Sequence, residues 1–221
     1  MAAGEAAEVP PEGPSLTGPL RPLRRSFYER PSPGVGPDLL GRLLVRRLGD
    51  GELLVGRIVE CEAYQEDDPA SHSYRGRTAR TEVMFGPPGH LYVYFSYGIH
   101  WCCNVVTGRD GEGSAVLLRA VEPLVGMERM RQQRGEVKGL RLLCAGPGRL
   151  TQAFAIGRQH NGVDLVGDSG VFLSAGEAVA PDRIEAGPRV GISVGRERPW
   201  RFRERGSAFV SSTRLPVARR P

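Results

Sequence analysis

The stretch LYVYFSYGIHWCCNVVT, residues 91–107, decides the fold class, because aromatic and β-branched residues fill it on both sides of Gly98. That is the composition of two strands joined by a tight turn, and it predicts a β-hairpin with Tyr97 at its tip. Tyr92 and Tyr94 alternate onto one face of the first strand. Toward the C-terminus, residues 115–121 read as a further strand that ends at Glu122-Pro123. Leu124, Met127, Met130 and Arg131 then fit one face of a helix with the proline near its start. Gly146-Pro147-Gly148 opens another helix carrying Leu150, Ala153 and Phe154. On the N-terminal side, Leu39, Leu40, Leu43 and Leu44 recur at helical spacing from Asp38 onward. Gly49-Asp50-Gly51 then turns the chain into the apolar run 53–59. The remainder, including 189–194 and 200–210, reads as short strands between Gly and Pro turns. Together these elements predict an α+β fold: one mixed domain around a curved, largely antiparallel β-sheet with a protruding β-hairpin.

Composition bounds the partners. A chain of 221 residues that is 40% hydrophobic buries one core, placed here at residues 23–213. Residues 1–22 hold scarcely any large apolar side chain and are expected to be a disordered tail; 214–221 form a second tail. A formal net charge of +5 favours an anionic partner but also suits an ordinary basic protein. Cys61, Cys102, Cys103 and Cys144 lack CxxC spacing and are expected to be reduced core residues. No run approaches the ~20 apolar residues of a membrane span, and the N-terminus lacks signal-peptide order, so a cytoplasmic location without membrane contact is expected.

Chemistry-bearing residues concentrate in two strands and a loop. In GRIVECEAY, residues 56–64, a period of two puts Glu60, Glu62 and Tyr64 on one face. A carboxylate beside an aromatic ring suits glycosidic cleavage, which needs a base for water and a negative charge near an oxocarbenium-like centre. From spacing alone, the commoner reading of the two glutamates is as solvated or salt-bridged strand carboxylates. Tyr94 suits stacking on an extruded base and Tyr97 suits filling the gap left behind, against the alternative that both simply pack a sheet. His72 lies in the loop DDPASHS, residues 67–73, where it presents either a neutral nitrogen or a donor. His90, His100 and His160 make no metal-ligand pattern, and neither a metal nor another cofactor is expected. Arg75, Arg77, Arg80, Arg129, Arg131, Arg134, Lys138, Arg141 and the start of the helix near Gly148 and Arg149 are candidates for phosphate contacts or for a solvated face.

The motifs GRIVECEAY, DPASHS, MFGPPGHLYVYFSYGIHWCCNVV, AVLLRAVEPL and GPGRLTQAF occur in this order, and from about Arg24 to Ser212 the sequence resembles the alkyladenine (3-methyladenine) DNA glycosylase family. The resemblance implies a monofunctional glycosylase of base excision repair. Such an enzyme flips alkylated or deaminated purines from damaged double-stranded DNA and hydrolyses the N-glycosidic bond. It implies Glu62 as general base and Arg119 as the residue positioning water and carboxylate. Tyr64, His72, Tyr94 and Asn104 would form the base pocket, with Asn104 crowding the amino group of guanine. Tyr97 and Ile99 would sit on the DNA-intercalating hairpin, and Arg134 and Arg149 are expected at phosphates. It also implies a monomer with no obligate protein partner. Departures from the family pattern are Cys61 for a hydroxyl residue, Ser96 for an aliphatic one and Ile99 where methionine is frequent. A base-stacking module without activity and a nucleosidase are the competing classes; the first leaves Glu62 without a purpose, and the second predicts preference for free nucleoside.

Overall fold

The computed structural model describes residues 18–135, 137 and 139–212. Its centre is an open, antiparallel eight-stranded sheet: β1 (Leu43–Arg47), β2 (Leu53–Tyr64), β3 (Leu91–Ser96), β4 (His100–Val106), β5 (Ala115–Val125), β6 (Val171–Ser174), β7 (Ile184–Gly187) and β8 (Arg201–Glu204). The order is β3-β4-β5-β2-β1-β6, and β8 joins β2 and β7. β2 is the organising strand. One edge pairs with β5, while the other pairs first with β1 and then, over residues 60–62, with β8. Its long apolar run is what such a doubly paired position requires, since both faces are covered. Three helices, α1 (Ser32–Leu39), α2 (Met127–Gln133) and α3 (Pro147–Ala153), complete a mixed α+β domain.

The hairpin expected at 91–107 forms as β3 and β4, in register from Leu91↔Val105 to Ser96↔His100. Tyr97 and Gly98 both have positive φ, 49° and 66°, and Ile99 N–H closes the turn on Ser96 O at 3.0 Å. Two consecutive left-handed residues are the signature of a hairpin turn whose twist matches its strands. Glycine takes this conformation freely; for Tyr97 it costs about 1–2 kcal/mol.

Four expectations are corrected. The leucines at 39–44 are not one helix: α1 ends at Leu39, Gly41 at φ 84° turns the chain, and Leu43 and Leu44 enter β1. Leu40 is already extended at ψ 131°, and a Cβ at Gly41 would meet the Glu177 carbonyl at 2.0 Å, so only glycine fits the turn into β1. β5 does not stop at Glu122-Pro123. It runs on to Val125, with Pro123 opposite Gly56 where the register shifts, a place where a missing N–H is tolerated. Leu124 is therefore a strand residue, and α2 starts only at Met127 after Gly126 at φ 76°. Residues 189–194 form a loop rather than a strand, and within 200–210 only β8 is extended.

All four cysteines are free and buried. Cys61 Sγ donates to Gly36 O at 3.1 Å, under a helix that approaches so closely that a Cβ at Gly36 would meet the Phe202 ring at 2.6 Å. Residues 1–17 of the first expected tail and all of the second, 214–221, lie outside the described residues, as does Thr213. Of the rest, Pro22 bridges Ser174 and Leu20 packs beside the sheet. Among the described residues no helix is long and apolar enough to cross a membrane.

Candidate active site

The site begins with an irregularity in the central ladder. Cys61 faces Leu118 and Glu60 faces Ala120, which leaves Arg119 as an extra, unpaired residue on β5. Such a bulge re-aims one side chain, and the Arg119 carbonyl it displaces is taken by Gly146 N–H at 3.0 Å. β2 itself is regular from Glu60 to Tyr64, so Glu60, Glu62 and Tyr64 share a face as their spacing predicts. The re-aimed guanidinium bridges both carboxylates: Nε donates to Glu60 Oε1 at 2.9 Å and Nη1 to Glu62 Oε2 at 3.2 Å.

The two glutamates have different surroundings. Glu60 Oε1 also accepts from Arg201 Nε at 2.8 Å and Ser211 Oγ at 2.9 Å, and its Oε2 accepts from Ser211 N–H at 2.6 Å. Its Oε1 thus takes three protein donors and its Oε2 one. Glu62 accepts from Tyr64 Oη at 2.9 Å and from Arg119 on Oε2, and from Val190 N–H at 2.7 Å on Oε1. Three of roughly four lone-pair sites are filled, leaving one for a further ligand. Burial and then the Glu62 charge push the Tyr64 phenol well above its ordinary value, which keeps it a protonated donor. Burial by itself would weaken the Arg119 cation, but Glu62 and Glu60 outweigh it and raise its pKa.

Above Glu62 opens a groove of about 1320 Å³ lined by Tyr64, His72, Tyr94, Asn104, Arg119 and Val190, among others. The Glu62 side chain has no exposed surface of its own. Its three donors form the wall between it and the groove. On the opposite wall Tyr92 and Tyr94 stack with centroids 5.5 Å apart, and the His72 ring meets Tyr94 edge-on at 4.4 Å. His72 Nδ1 lies 3.1 Å from Tyr92 Oη. Desolvation by the rings, and then the Arg80 charge, push His72 down to about 4. The imidazole is therefore neutral near pH 7. Asn104 lies opposite Tyr92 in the ladder and donates Nδ2 to the Tyr92 carbonyl at 3.2 Å, which holds its amide in the wall.

The hairpin tip forms one rim. Tyr97 is 80% and Ile99 77% exposed, a degree of exposure that rules out the reading of Tyr97 as a packed sheet residue. Its phenol donates to Gly191 O at 3.3 Å. Arg134 and Arg149 also line the groove. Arg134 bonds Gln152 Oε1 at 2.6 Å and Arg149 bonds Ala145 O at 3.3 Å. Burial and then repulsion from Arg149 lower the Arg134 pKa, so the pair is an arrangement that an anion would relieve. Of the other cations, Arg80 lines the groove. Arg129 pairs with Asp50 and Arg131 with Glu128, as the solvated-face reading has it. Arg77 pairs with Glu82 and Arg141 bonds Ala208 O. Lys138 lies outside the described residues.

Sequence reasoning missed Arg201, Ser211 and the Val190 amide, all supplied to the glutamates from more than 125 positions away. No local pattern marks them: Arg201 is brought near by the pairing of β8 with β2, and Val190 and Ser211 by the loops on either side of β8.

A family model described as methylpurine-DNA glycosylase matches residues 26–208. The chain is 51% identical over 200 residues to a Burkholderia lata protein, covering 90% of this chain and 93% of that one. It is 52% identical over 189 residues to one from Rhodopseudomonas palustris, covering 86% and 90%. With one from Carboxydothermus hydrogenoformans it shares 49% over 189 residues, covering 86% and 98%. Each relative bears the name "Putative 3-methyladenine DNA glycosylase".

Proposed function

The chain belongs to the methylpurine-DNA glycosylase family, and on that premise we propose that it flips alkylated or deaminated purines out of duplex DNA and hydrolyses their N-glycosidic bond with water activated by Glu62. As a DNA glycosylase it is a hydrolase of N-glycosyl bonds that acts in DNA repair. The observation that carries the finer reading is the Glu62 carboxylate, oriented by Tyr64, Arg119 and Val190 with one lone-pair site free, beneath an aromatic groove.

In the proposed reaction the base enters the groove between Tyr64 and Tyr94. Water bound at Glu62 attacks the sugar carbon as the carbon–nitrogen bond breaks; its proton passes to Glu62 and the bonding electron pair leaves with the base. The Glu62 charge also stabilises the oxocarbenium-like transition state. Cationic 3-methyladenine and 7-methylguanine leave as neutral bases, whereas hypoxanthine and etheno-adenine need a proton. His72, neutral, acts as a hydrogen-bonding partner of the base, and Asn104 collides with the amino group of guanine. Tyr97 and Ile99 fill the vacated stack, and Arg134 and Arg149 bind phosphates. The enzyme acts as a monomer and needs no cofactor.

The test is single-turnover base release from duplexes carrying one 3-methyladenine, hypoxanthine or etheno-adenine, by the wild type and by Glu62→Gln. Release by the wild type with near-complete loss in the folded variant is expected. Damage-selective binding without release by either protein would instead make this a recognition module, and preference for free nucleoside would make it a nucleosidase.

A further inference from the structure

Beside Glu62 lies a second, fully enclosed ion pair that the reaction itself does not use. The side chains of Arg189 and Asp68 are both 0% exposed, so neither meets substrate. Arg189 Nη1 donates to Asp68 Oδ2 and, at 2.9 Å, to the Ala63 carbonyl; Nη2 donates to Asp68 Oδ1 at 3.0 Å and to Gly195 O at 3.1 Å. The guanidinium carbon lies 4.6 Å from the centre of the Tyr64 ring. Ala63 sits between Glu62 and Tyr64, just past the point where β8 stops pairing with β2, so Arg189 satisfies a carbonyl that no strand reaches.

These contacts tie three parts of the site together. Through Asp68 they hold the segment that carries His72; through Ala63 and the Tyr64 ring they hold the end of β2. The residue after Arg189 is Val190, whose N–H lies 2.7 Å from Glu62 Oε1. Gly195 closes the loop at φ 65°, and a Cβ there would come 2.8 Å from Asp68 Oδ1. A buried ion pair of this kind is weak as a source of stability, but it specifies one arrangement. Glu62 needs such specification, because it is oriented by a backbone amide on a loop that belongs to no strand.

We infer that Arg189, clamped by Asp68, is a positioning residue for the glycosylase reaction: it sets the Val190 amide on Glu62 and steadies the Tyr64 ring above it. The inference rests on the function proposed above. A guanidinium is required, since lysine cannot reproduce the fork to Asp68 or the planar contact with Tyr64.

The experiment compares wild type, Arg189→Lys and Asp68→Asn for single-turnover release of 3-methyladenine, for affinity toward the same duplex, and for the chemical shift of the Val190 amide proton. Release is expected to fall about 10- to 100-fold in the variants, the scale set by misplacing a catalytic group by about 1 Å. Duplex affinity should stay within about threefold, since only remote positioning is altered. The Val190 amide should lose the downfield position of a proton bonded to carboxylate. A folded variant with wild-type release, or with an unmoved Val190 amide, overturns the inference. So does loss of fold in both variants, which would assign the pair to stability alone. Absence of release by the wild type would sink the functional proposal separately, and the Val190 shift would still decide whether Arg189 sets the loop.

Discussion

Arg119 Nη1 donates to Glu62 Oε2 at 3.2 Å while its Nε donates to Glu60 Oε1 at 2.9 Å, so one guanidinium joins a carboxylate that takes three protein donors to one that takes four. On the proposed function, Glu60 is the anchor and Glu62 the reactive group. Removing one partner from a buried charge network costs about 3–5 kcal/mol, because the remaining charge is left uncompensated. Glu60→Gln leaves Arg119 and Arg201 without their common anion and should lose stability on that scale in urea unfolding. Glu62→Gln should lose less, since Arg119 keeps Glu60, yet lose almost all base release. The opposite order of stabilities would show that Glu62 is the structural anchor.

At the hairpin tip, stability and activity should move in opposite directions. Tyr97 holds a left-handed backbone that glycine adopts freely, and its side chain is 80% exposed. Tyr97→Gly should therefore stabilise the fold by up to about 1–2 kcal/mol in denaturant titration. It should also slow release from duplex DNA, because nothing then fills the gap left by the flipped base. An unchanged release rate would remove Tyr97 from the mechanism.

For Tyr94 the prediction turns on its ring rather than its hydroxyl. Base–aromatic stacking is worth about 1–3 kcal/mol by alanine substitution, which corresponds to roughly 5- to 150-fold in rate or affinity. Tyr94→Ala should lose activity in that range and Tyr94→Phe should lose little, measured as single-turnover release. Equal losses in both would point to the phenol instead.

His72 yields a pH dependence. Its pKa is pushed down from 6.5 to about 4 in the folded protein, so between those values the unfolded chain binds the proton and the native one does not. Stability then rises with pH across that window and falls as pH drops from 6.5 toward 4. His72→Gln should remove part of this acid-side slope in urea midpoints measured from pH 4 to 7. The release profile of the wild type should also show no inflection from His72 between pH 6 and 8. A wild-type slope in His72→Gln would assign the effect to other groups.

Phosphate contacts are tested through salt. Arg149 is an exposed cation lining the groove, whereas Arg129 is paired with Asp50 and does not line the groove. Each neutralised phosphate contributes about 0.9 to the slope of log affinity against log salt. Arg149→Ala should reduce the slope for undamaged duplex by about that amount and Arg129→Ala should leave it alone. Equal slopes for Arg149→Ala and wild type would withdraw the phosphate assignment.

Much of this architecture was legible in the sequence because it is local. The hairpin at 91–107 follows from strand composition around Gly98, the common face of Glu60, Glu62 and Tyr64 from a period of two, and α3 from Pro147 behind a glycine. Where local signals competed, reasoning from spacing failed. Leucines at 39, 40, 43 and 44 suit a helix, but the backbone is already extended at Leu40 and Gly41, at φ 84°, turns the chain into β1. Pro123 reads as a strand end, but a register shift beside Gly56 accommodates it within β5.

The sequence by itself determined which side chains are present and which faces they share along one strand, since backbone periodicity and turn chemistry act over a few residues. Only the tertiary structure decided that Arg119 is bulged toward both glutamates, that Arg201 and Ser211 reach Glu60, and that the Val190 amide reaches Glu62. The reason is physical: a buried carboxylate must gather donors from whatever strands and loops the sheet topology brings beside it, and their separation along the chain leaves no periodic trace.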